Sequence, residues 1–436
     1  MPNTMKLHPF FVIIFITIIF SSCKSGPFNF IKPSSPHQVY ERKLIDAGLD
    51  KTIMGTSWIS KAKQSLQSAI PISLPYQEKG YFPADRVETA VFSFDLLRGQ
   101  KLSIALDIKP VERFRLYADL MSIGDNGDIK LVAYADATAQ NIEFSVDNEG
   151  KYLLRLQPEL LSSGEYTVSL TTGPSLNFPV KAGRASQIQS LFGVGRDGNT
   201  RRHEGIDIFA PFRTPVIAVS NGRVTRVNEN NLGGKVVWFR PEGKNYTLYY
   251  AHLDEQTVSD GQIVRYGDTL GRMGNTGNAK TTPPHLHFGI YAEAGAIDPY
   301  PFVNPTIKPA PEVASSTTVL NTSMRTNSKT SIQPAGEEQL ESGTLVRVTA
   351  ASENNYRIEL PDGRSGYLSS KRLSSISSPL KNAKIKSHQL EVFDNPDSLA
   401  AVKSQLKIGE SVAIKGSFGD FQFIEGNNKT SGWIKK

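Results

Sequence analysis

The middle of the chain alternates apolar and polar residues with a period of two. Runs of this kind occupy 90–94, 102–106, 114–117, 129–133, 142–144 and 166–170. Stretches rich in Gly, Asp and Asn at 124–127 and 148–150 separate neighbouring runs, as turns between antiparallel strands do. We therefore predict an all-β sandwich over residues 76–175.

A helical pattern precedes the sandwich. Apolar residues recur mostly every three or four positions through 38–70, which is typical of helix. Gly48 and Gly55 interrupt this pattern, so we expect two short helices rather than one. Residues 24–36 are rich in Pro, Ser and Gly, and we predict a tether and helical segment over 24–75.

Residues 180–308 also have a β pattern. The runs 216–219, 222–224, 235–239 and 246–250 predict strands, and Asn221-Gly222 is a hairpin turn signal. A linker that contains Pro, Ala and Ser follows at 309–316. The mainly β composition of all these segments predicts a multidomain β protein with a short helical start.

A weak internal repeat follows the linker. The stretch 345–348 matches 411–414, and at the same offset Gly366-Tyr367 matches Gly432-Trp433. We predict two small β-barrels, over 317–376 and 380–436, that resemble bacterial SH3-like domains. Binding of wall peptides and a spacer role are equally compatible with the repeat.

Charge and the N-terminus set the expected location. The chain has 436 residues and a net charge of +7, but no basic block that favours nucleic acid. Lys6, an apolar run at 10–20 and Ser21-Ser22-Cys23 resemble a bacterial lipoprotein signal peptide over 1–23. We expect Cys23 to be lipidated and to hold the protein on a bacterial membrane, outside the cytoplasm. The alternative is an uncleaved anchor or a plain signal peptide that is cut nearby.

Four of the seven histidines lie between 203 and 287, within short motifs. Residues two and four apart share one face of a strand, so His203 and Asp207 point the same way, as do His285 and His287. Catalytic zinc takes three protein ligands and keeps one position open, and two histidines with one aspartate fit this set. Spacing alone does not say whether His285 or His287 binds the metal. The remaining histidines, His252 among them, suit proton transfer.

The first motif is not the zinc-binding helix of His-Glu-x-x-His proteins. That motif requires a second His four residues after the first, and here Asp207 stands at that position. Gly205, Ile206 and the nearby Pro211 also disfavour a helix.

Together the motifs resemble a known family. They are His203-Glu204-Gly205-Ile206-Asp207, Ala210-Pro211, Tyr250-Ala251-His252-Leu253, Gly274-Asn275-Thr276-Gly277 and Pro284-His285-Leu286-His287-Phe288. In this order they resemble the lysostaphin-type (LytM-like) zinc peptidases, which cut peptide bonds in bacterial peptidoglycan. The resemblance covers 187–305. Two residues depart from the family pattern, since Pro283 stands where glycine is common and Gly289 where glutamate often follows.

The resemblance implies a site and a fold. His203, Asp207 and His287 would bind one Zn²⁺ per chain, and His252 and His285 would flank the catalytic water. The implied fold is a partly open antiparallel β-barrel with a groove across the zinc.

Three loop residues have two possible roles. Asn275, Thr276 and Asn278 precede the His-Leu-His strand and either shape the groove or make ordinary turn contacts, which we favour.

The leading functional hypothesis is a zinc endopeptidase that acts on peptidoglycan. The competing hypotheses are a wall-binding adaptor that does not cut but activates another hydrolase, and a lipid-anchored structural protein. The sandwich resembles jelly-roll modules of secreted peptidases, for which we favour a spacer role over binding of wall sugar. The sequence does not predict which bond is cut or the oligomeric state.

Overall fold

The computed structural model describes residues 34–135, 141–334, 339–387, 389–427 and 429–436. The predicted signal peptide, Cys23 and most of the tether therefore lie outside the described residues. No helix among the described residues is both long and apolar enough to cross a membrane.

Two helices open the described chain, α1 Pro36–Asp46 and α2 Ile53–Gln64. Ser35 caps α1, because its side chain accepts the backbone N–H of Gln38, whose own side chain accepts the N–H of Ser35. Gly48 lies between the helices with a φ of 70°. Gly55, which we expected to break the pattern, lies inside α2, so that prediction was wrong. A Cβ at Gly55 would come within 1.9 Å of the Leu49 carbonyl oxygen, so close packing explains this glycine.

Nine strands form the sandwich in the described part of the chain. They are β1 Ile70–Pro71, β2 Tyr76–Phe82, β3 Ala90–Leu96, β4 Gln100–Lys109, β5 Leu116–Ile123, β6 Ile129–Tyr134, β7 Asn141–Ser145, β8 Gly150–Pro158 and β9 Gly164–Pro174. One sheet has the order β1-β3-β8-β5-β6, and β2-β9-β4-β7 belong to the second. Alternate residues of β4 are buried, as the period-two pattern predicts for a strand with one face on a core.

The helices pack on the sandwich through one buried aromatic residue. Trp58 is 1% exposed, and its Nε1–H donates to the Pro158 carbonyl at 2.8 Å. The ring of His37 stacks on Trp58 with 4.6 Å between ring centroids. The helical segment thus shares a core with the sandwich.

Twelve further strands lie within 180–308 among the described residues. They are β10 Ile188–Ser190, β11 Gly195–Arg196, β12 Arg201–Arg202, β13 Ile206–Phe209, β14 Pro215–Ile217, β15 Gly222–Asn230, β16 Gly234–Pro241, β17 Thr247–Gln256, β18 Ile263–Val264, β19 Thr269–Met273, β20 His285–Ala292 and β21 Gly295–Ile297. A short helix follows, α3 Tyr300–Val303. The main sheet has the order β10-β13-β20-β17-β16-β15-β18. In the described part of the chain its strand pairing does not close into a barrel.

The C-terminal third contains two more β units. The first has β22 Ser323–Thr326, β23 Thr330–Ser331, β24 Gln339–Leu340, β25 Leu345–Ser352, β26 Asn355–Glu359, β27 Ser365–Ser369 and β28 Leu373–Ser375. The second has β29 Lys381–Lys384, β30 Gln389–Phe393, β31 Val402–Lys407, β32 Ser411–Phe418, β33 Phe421–Gly426 and β34 Ser431–Lys435. Both copies of the sequence repeat are strands, β25 with β32 and β27 with β34. Neither unit forms a closed barrel in the described residues.

The sandwich and the first C-terminal unit share a sheet. Strand β2 pairs with β25, so the sheet runs through β27-β26-β25-β2-β9-β4-β7. At this junction Glu78 is fully buried, accepts a hydrogen bond from Tyr166 Oη at 2.5 Å and pairs with Arg357 at 3.2 Å. Removal of either member of this ion pair would leave a buried charge without its partner, so the junction is tied to one geometry.

Candidate metal centre

Two neighbouring strands bring the aspartate and one histidine together. Asp207 on β13 lies directly opposite His287 on β20, and residues opposite each other point to the same face of the sheet. We expected His203 and Asp207 to share one face of a strand. His203 instead precedes β13, which begins at Ile206. Instead, backbone hydrogen bonds between His203 and the loop residues Gly193 and Val194 place it, both at 2.8 Å.

Three side-chain atoms converge on one point. His203 Nε2 lies 3.0 Å from Asp207 Oδ1 and 3.0 Å from His287 Nδ1, and the last two atoms are 3.1 Å apart. These three residues form a group that could hold a metal ion. A nearly equilateral triangle of this size suits one face of a tetrahedron around an ion with ligand bonds of about 2 Å. The residues present therefore fit zinc.

Neighbouring groups orient these ligand atoms. The Nδ1–H of His203 donates to the Leu191 carbonyl at 2.9 Å, which leaves the lone pair of Nε2 for a metal. Arg196 Nη2 donates to Asp207 Oδ2 at 2.6 Å and to Ser190 Oγ at 2.8 Å. No pattern in the sequence pointed to Arg196, since its position 11 residues before Asp207 carries no motif.

Charge in the site favours an anionic Asp207 and a neutral His287. Burial acts to raise the pKa of Asp207, but its close contacts with His203 and His287 outweigh this effect and hold that pKa well below its usual range. Burial lowers the pKa of His287, although the nearby Asp207 carboxylate opposes this effect. A carboxylate beside unprotonated imidazoles is the donor set that zinc requires.

Gly205 is required because the His287 ring and the Phe288 carbonyl approach its backbone closely. A Cβ at this position would lie 2.8 Å from both Cε1 and Nε2 of His287 and 2.6 Å from the Phe288 carbonyl oxygen. The glycine between His203 and Asp207 therefore gives the His287 ring the space it occupies beside both ligands.

His252 and His285 form a second pair beside the triangle. Their ring centroids lie 4.9 Å apart, and His252 is 5.9 Å from His287. The Nδ1–H of His252 donates to the Thr276 carbonyl and that of His285 to the Pro283 carbonyl, each at 2.9 Å. In both rings Nε2 is left available to accept a proton.

Burial sets the protonation state of His252, and its backbone conformation is strained. Burial, with smaller contributions from His285 and His287, lowers the pKa of His252 to about 4, so its ring is neutral at pH 7. Its φ of 63° is uncommon for a residue with a side chain. Strained backbone of this kind occurs frequently at functional sites.

The three predicted loop residues have different positions. Asn278 lines the groove, whereas the Asn275 side chain donates to the carbonyls of Lys280 and Thr282 within its own loop. Thr276 Oγ1 accepts the Lys235 N–H at 3.0 Å and donates to the Leu253 carbonyl at 2.8 Å. Asn275 and Thr276 thus make turn contacts, and through its carbonyl Thr276 also positions His252.

An open groove of about 700 Å³ passes over the triangle and the histidine pair. One wall is aromatic: Trp238 lies 4.4 Å from Tyr249 and 5.6 Å from Tyr291, measured between ring centroids. Glu204 also lines the groove and accepts a hydrogen bond from Tyr291 Oη at 3.1 Å. The sequence motifs did not predict this wall, although Tyr249 is two residues before Ala251 on the same face of β17.

Residues 201–299 match the family model described as Peptidase family M23. The chain contains a Peptidase family M23 domain. This M23 domain includes the triangle and the histidine pair.

Relatives of known name match the same region. The chain is 35% identical over 136 residues to the L-Ala--D-Glu endopeptidase of Bacillus subtilis, across 28% of this chain and 41% of that protein. It is 30% identical over 198 residues to Peptidoglycan DD-endopeptidase ShyC of Vibrio cholerae, across 44% of this chain and 42% of that protein. The chain thus spans less than half the length of either relative. The solved catalytic domain of lysostaphin from Staphylococcus simulans is similar at 30% identity and a TM-score of 0.25, over 27% of this chain and 93% of that one.

Proposed function

We propose that this protein is a zinc endopeptidase that hydrolyses peptide bonds of bacterial peptidoglycan. The observation that carries the proposal is the triangle of His203 Nε2, Asp207 Oδ1 and His287 Nδ1 beside a second histidine pair in an open groove. The endopeptidase names of the M23 relatives support the same reaction class.

The histidine pair supplies proton transfer. When bound, zinc polarises a carbonyl group and brings the pKa of a water molecule from ~16 towards ~7. His252 and His285 carry protons on Nδ1, so each Nε2 can accept a proton from the attacking water. Once protonated, the same Nε2 can donate to the oxyanion or to the leaving amine.

The groove positions the substrate. An extended peptide can lie along the groove between the aromatic wall and the loop that contains Asn278. Neither rim of the groove includes a residue from the sandwich or the C-terminal units among the described residues.

Release of new free amines from isolated peptidoglycan tests this function. The full chain should release them with zinc present and stop when a chelator is added. His285→Ala should abolish the release but keep the metal, whereas Lys386→Ala, an exposed residue of the second C-terminal unit, should behave as the unchanged protein. Zinc bound without any chelator-sensitive release would favour the adaptor hypothesis instead.

We also propose roles for the C-terminal units, the sandwich and Cys23. We keep the two C-terminal units as SH3-like modules, over 317–376 and 380–436, and the sandwich over 76–175 as a spacer. A lipid on Cys23 remains a prediction of the sequence, and it would hold the enzyme on a bacterial membrane, outside the cytoplasm. Labelled fatty acid should enter the expressed protein and should not enter a Cys23→Ser variant.

A further inference from the structure

The sheet face that carries the metal triangle continues well beyond it. His287 on β20 lies opposite Ala251 on β17, and two residues along β17, Tyr249 lies opposite Trp238 on β16. Arg240 is two residues further along β16, so it shares this face with Trp238. The face thus runs from the metal triangle, across the aromatic wall, to a positively charged region.

Two arginines lie directly opposite each other at this end of the face. Arg223 on β15 is the cross-strand partner of Arg240, and Ile263 on β18 is the partner of Arg223 on the other side. Like charges directly opposite in an antiparallel pair destabilise a sheet. Ile263 is 72% exposed, so it does not shield the two guanidinium groups in a core.

These residues line an open cavity of about 640 Å³. Its cationic lining consists of Arg223, Arg240, Lys244 and Arg265. Glu242 is the acidic residue of the lining, and Lys244 pairs outside it with Asp147 of the sandwich at 3.2 Å. Over the part of the chain that the structure describes, neither Arg223 nor Arg265 forms an ion pair, so the cavity keeps an excess of positive charge.

The separation from the metal triangle suits a ligand that also fills the groove. Arg223 is three strands away from His287 and about four residues along the strands, or about 20 Å in all. An extended peptide of about six residues spans that distance. Guanidinium groups bind carboxylates through paired hydrogen bonds, which makes such a cavity a carboxylate site.

We propose that the Arg223–Arg240–Arg265 cavity binds free carboxylate groups of the peptidoglycan strand whose peptide occupies the catalytic groove. The inference rests on the proposed function for its substrate. The cavity would hold the wall polymer at a second point, on the same face of the sheet as the bond to be cut.

Binding to isolated peptidoglycan tests the cavity separately from cleavage. All proteins carry His285→Ala and are loaded with zinc, so that binding is measured by co-sedimentation with intact walls. Arg223→Gln with Arg265→Gln is compared with Arg113→Gln and Arg115→Gln, two exposed arginines of the sandwich that lower the net charge equally. Each protein meets untreated walls, walls with amidated carboxyl groups, and walls stripped of phosphate polymers. Equal thermal midpoints would show that the variants fold alike.

The two pairs of substitutions should differ. The cavity variant should bind untreated walls at least about tenfold more weakly than the sandwich variant, because it lacks two charged hydrogen-bonding groups. Amidation of the walls should weaken binding of the sandwich variant by a similar factor and leave binding of the cavity variant unchanged. Removal of phosphate polymers should not change the binding of either variant. Equal binding by the two variants would overturn the proposal, as would a loss of binding on phosphate removal alone. A protein that never cuts peptidoglycan would refute the proposed function without altering these comparisons.

Discussion

Arg196 holds the outer oxygen of Asp207, with 2.6 Å between its Nη2 and Asp207 Oδ2. The inner oxygen of the same carboxylate faces His203 and His287 at 3.0 and 3.1 Å. The guanidinium group therefore fixes the direction in which the carboxylate presents its proposed ligand atom. A carboxylate held in this way loses less rotational freedom when it binds a metal.

Replacement of Arg196 should weaken metal binding. Arg196→Gln removes the charged hydrogen bond, so zinc affinity should fall roughly 10- to 100-fold, as is usual when a group that orients a ligand is lost. Competition with a chromophoric chelator measures this change. Arg113→Gln is the control, because it removes the same charge from an exposed arginine of the sandwich that does not line the groove. Equal zinc affinity of the two variants would show that Arg196 does not orient Asp207.

A methyl group at position 205 should disturb the site from within. Gly205→Ala places a Cβ 2.8 Å from the His287 ring, so the ring must move and zinc affinity should drop at least about tenfold. Overpacking of this kind also costs about 1–3 kcal/mol of stability. Metal content after dialysis and the free energy of unfolding are the measurements. Gly426→Ala, where the nearest atom lies 3.7 Å from the new Cβ, should change neither quantity.

Thr276 should affect turnover more than metal binding. Thr276→Val removes both hydrogen bonds of the hydroxyl group, so the carbonyl that orients His252 loses its support. We expect kcat to fall roughly 10- to 100-fold because the proton acceptor is misplaced, with bound zinc unchanged. Thr276→Ser keeps both bonds and should restore most of kcat. Loss of zinc in Thr276→Val would instead place Thr276 in the support of the metal ligands.

His37 should make the stability of the protein depend on pH. Burial, with the neighbouring Arg155, lowers the pKa of His37 to about 4, well below its value of 6.5 in an unfolded chain. The unfolded state thus binds more protons between these values, so stability is full above about pH 6.5 and falls as the pH drops towards 4. The loss should reach about 2–3 kcal/mol. Urea unfolding of the unchanged protein and of His37→Asn should show a smaller loss for the variant, and equal losses would contradict this account.

Much of the fold was predictable from local patterns, since alternation marks strands wherever one face is buried. The pairing of β2 with β25 was not, because these strands lie far apart in the chain and no local pattern records their contact. The candidate site divides in the same way. The family resemblance implied which side chains come together, but Arg196 and the Thr276 carbonyl act through geometry that arises only after folding. At Gly55 the local pattern was misleading. Glycine suggested a helix break, but packing against the Leu49 carbonyl requires a small residue inside the helix.

We propose that His203, Asp207 and His287 hold a zinc ion that makes this protein a peptidoglycan endopeptidase. The decisive experiment measures zinc content and release of free amines from isolated peptidoglycan on one sample during titration with zinc. We expect release to rise with bound zinc and to reach its maximum at one ion per chain. Full occupancy of that site without release of amines, or release that continues after the zinc is removed, would contradict it.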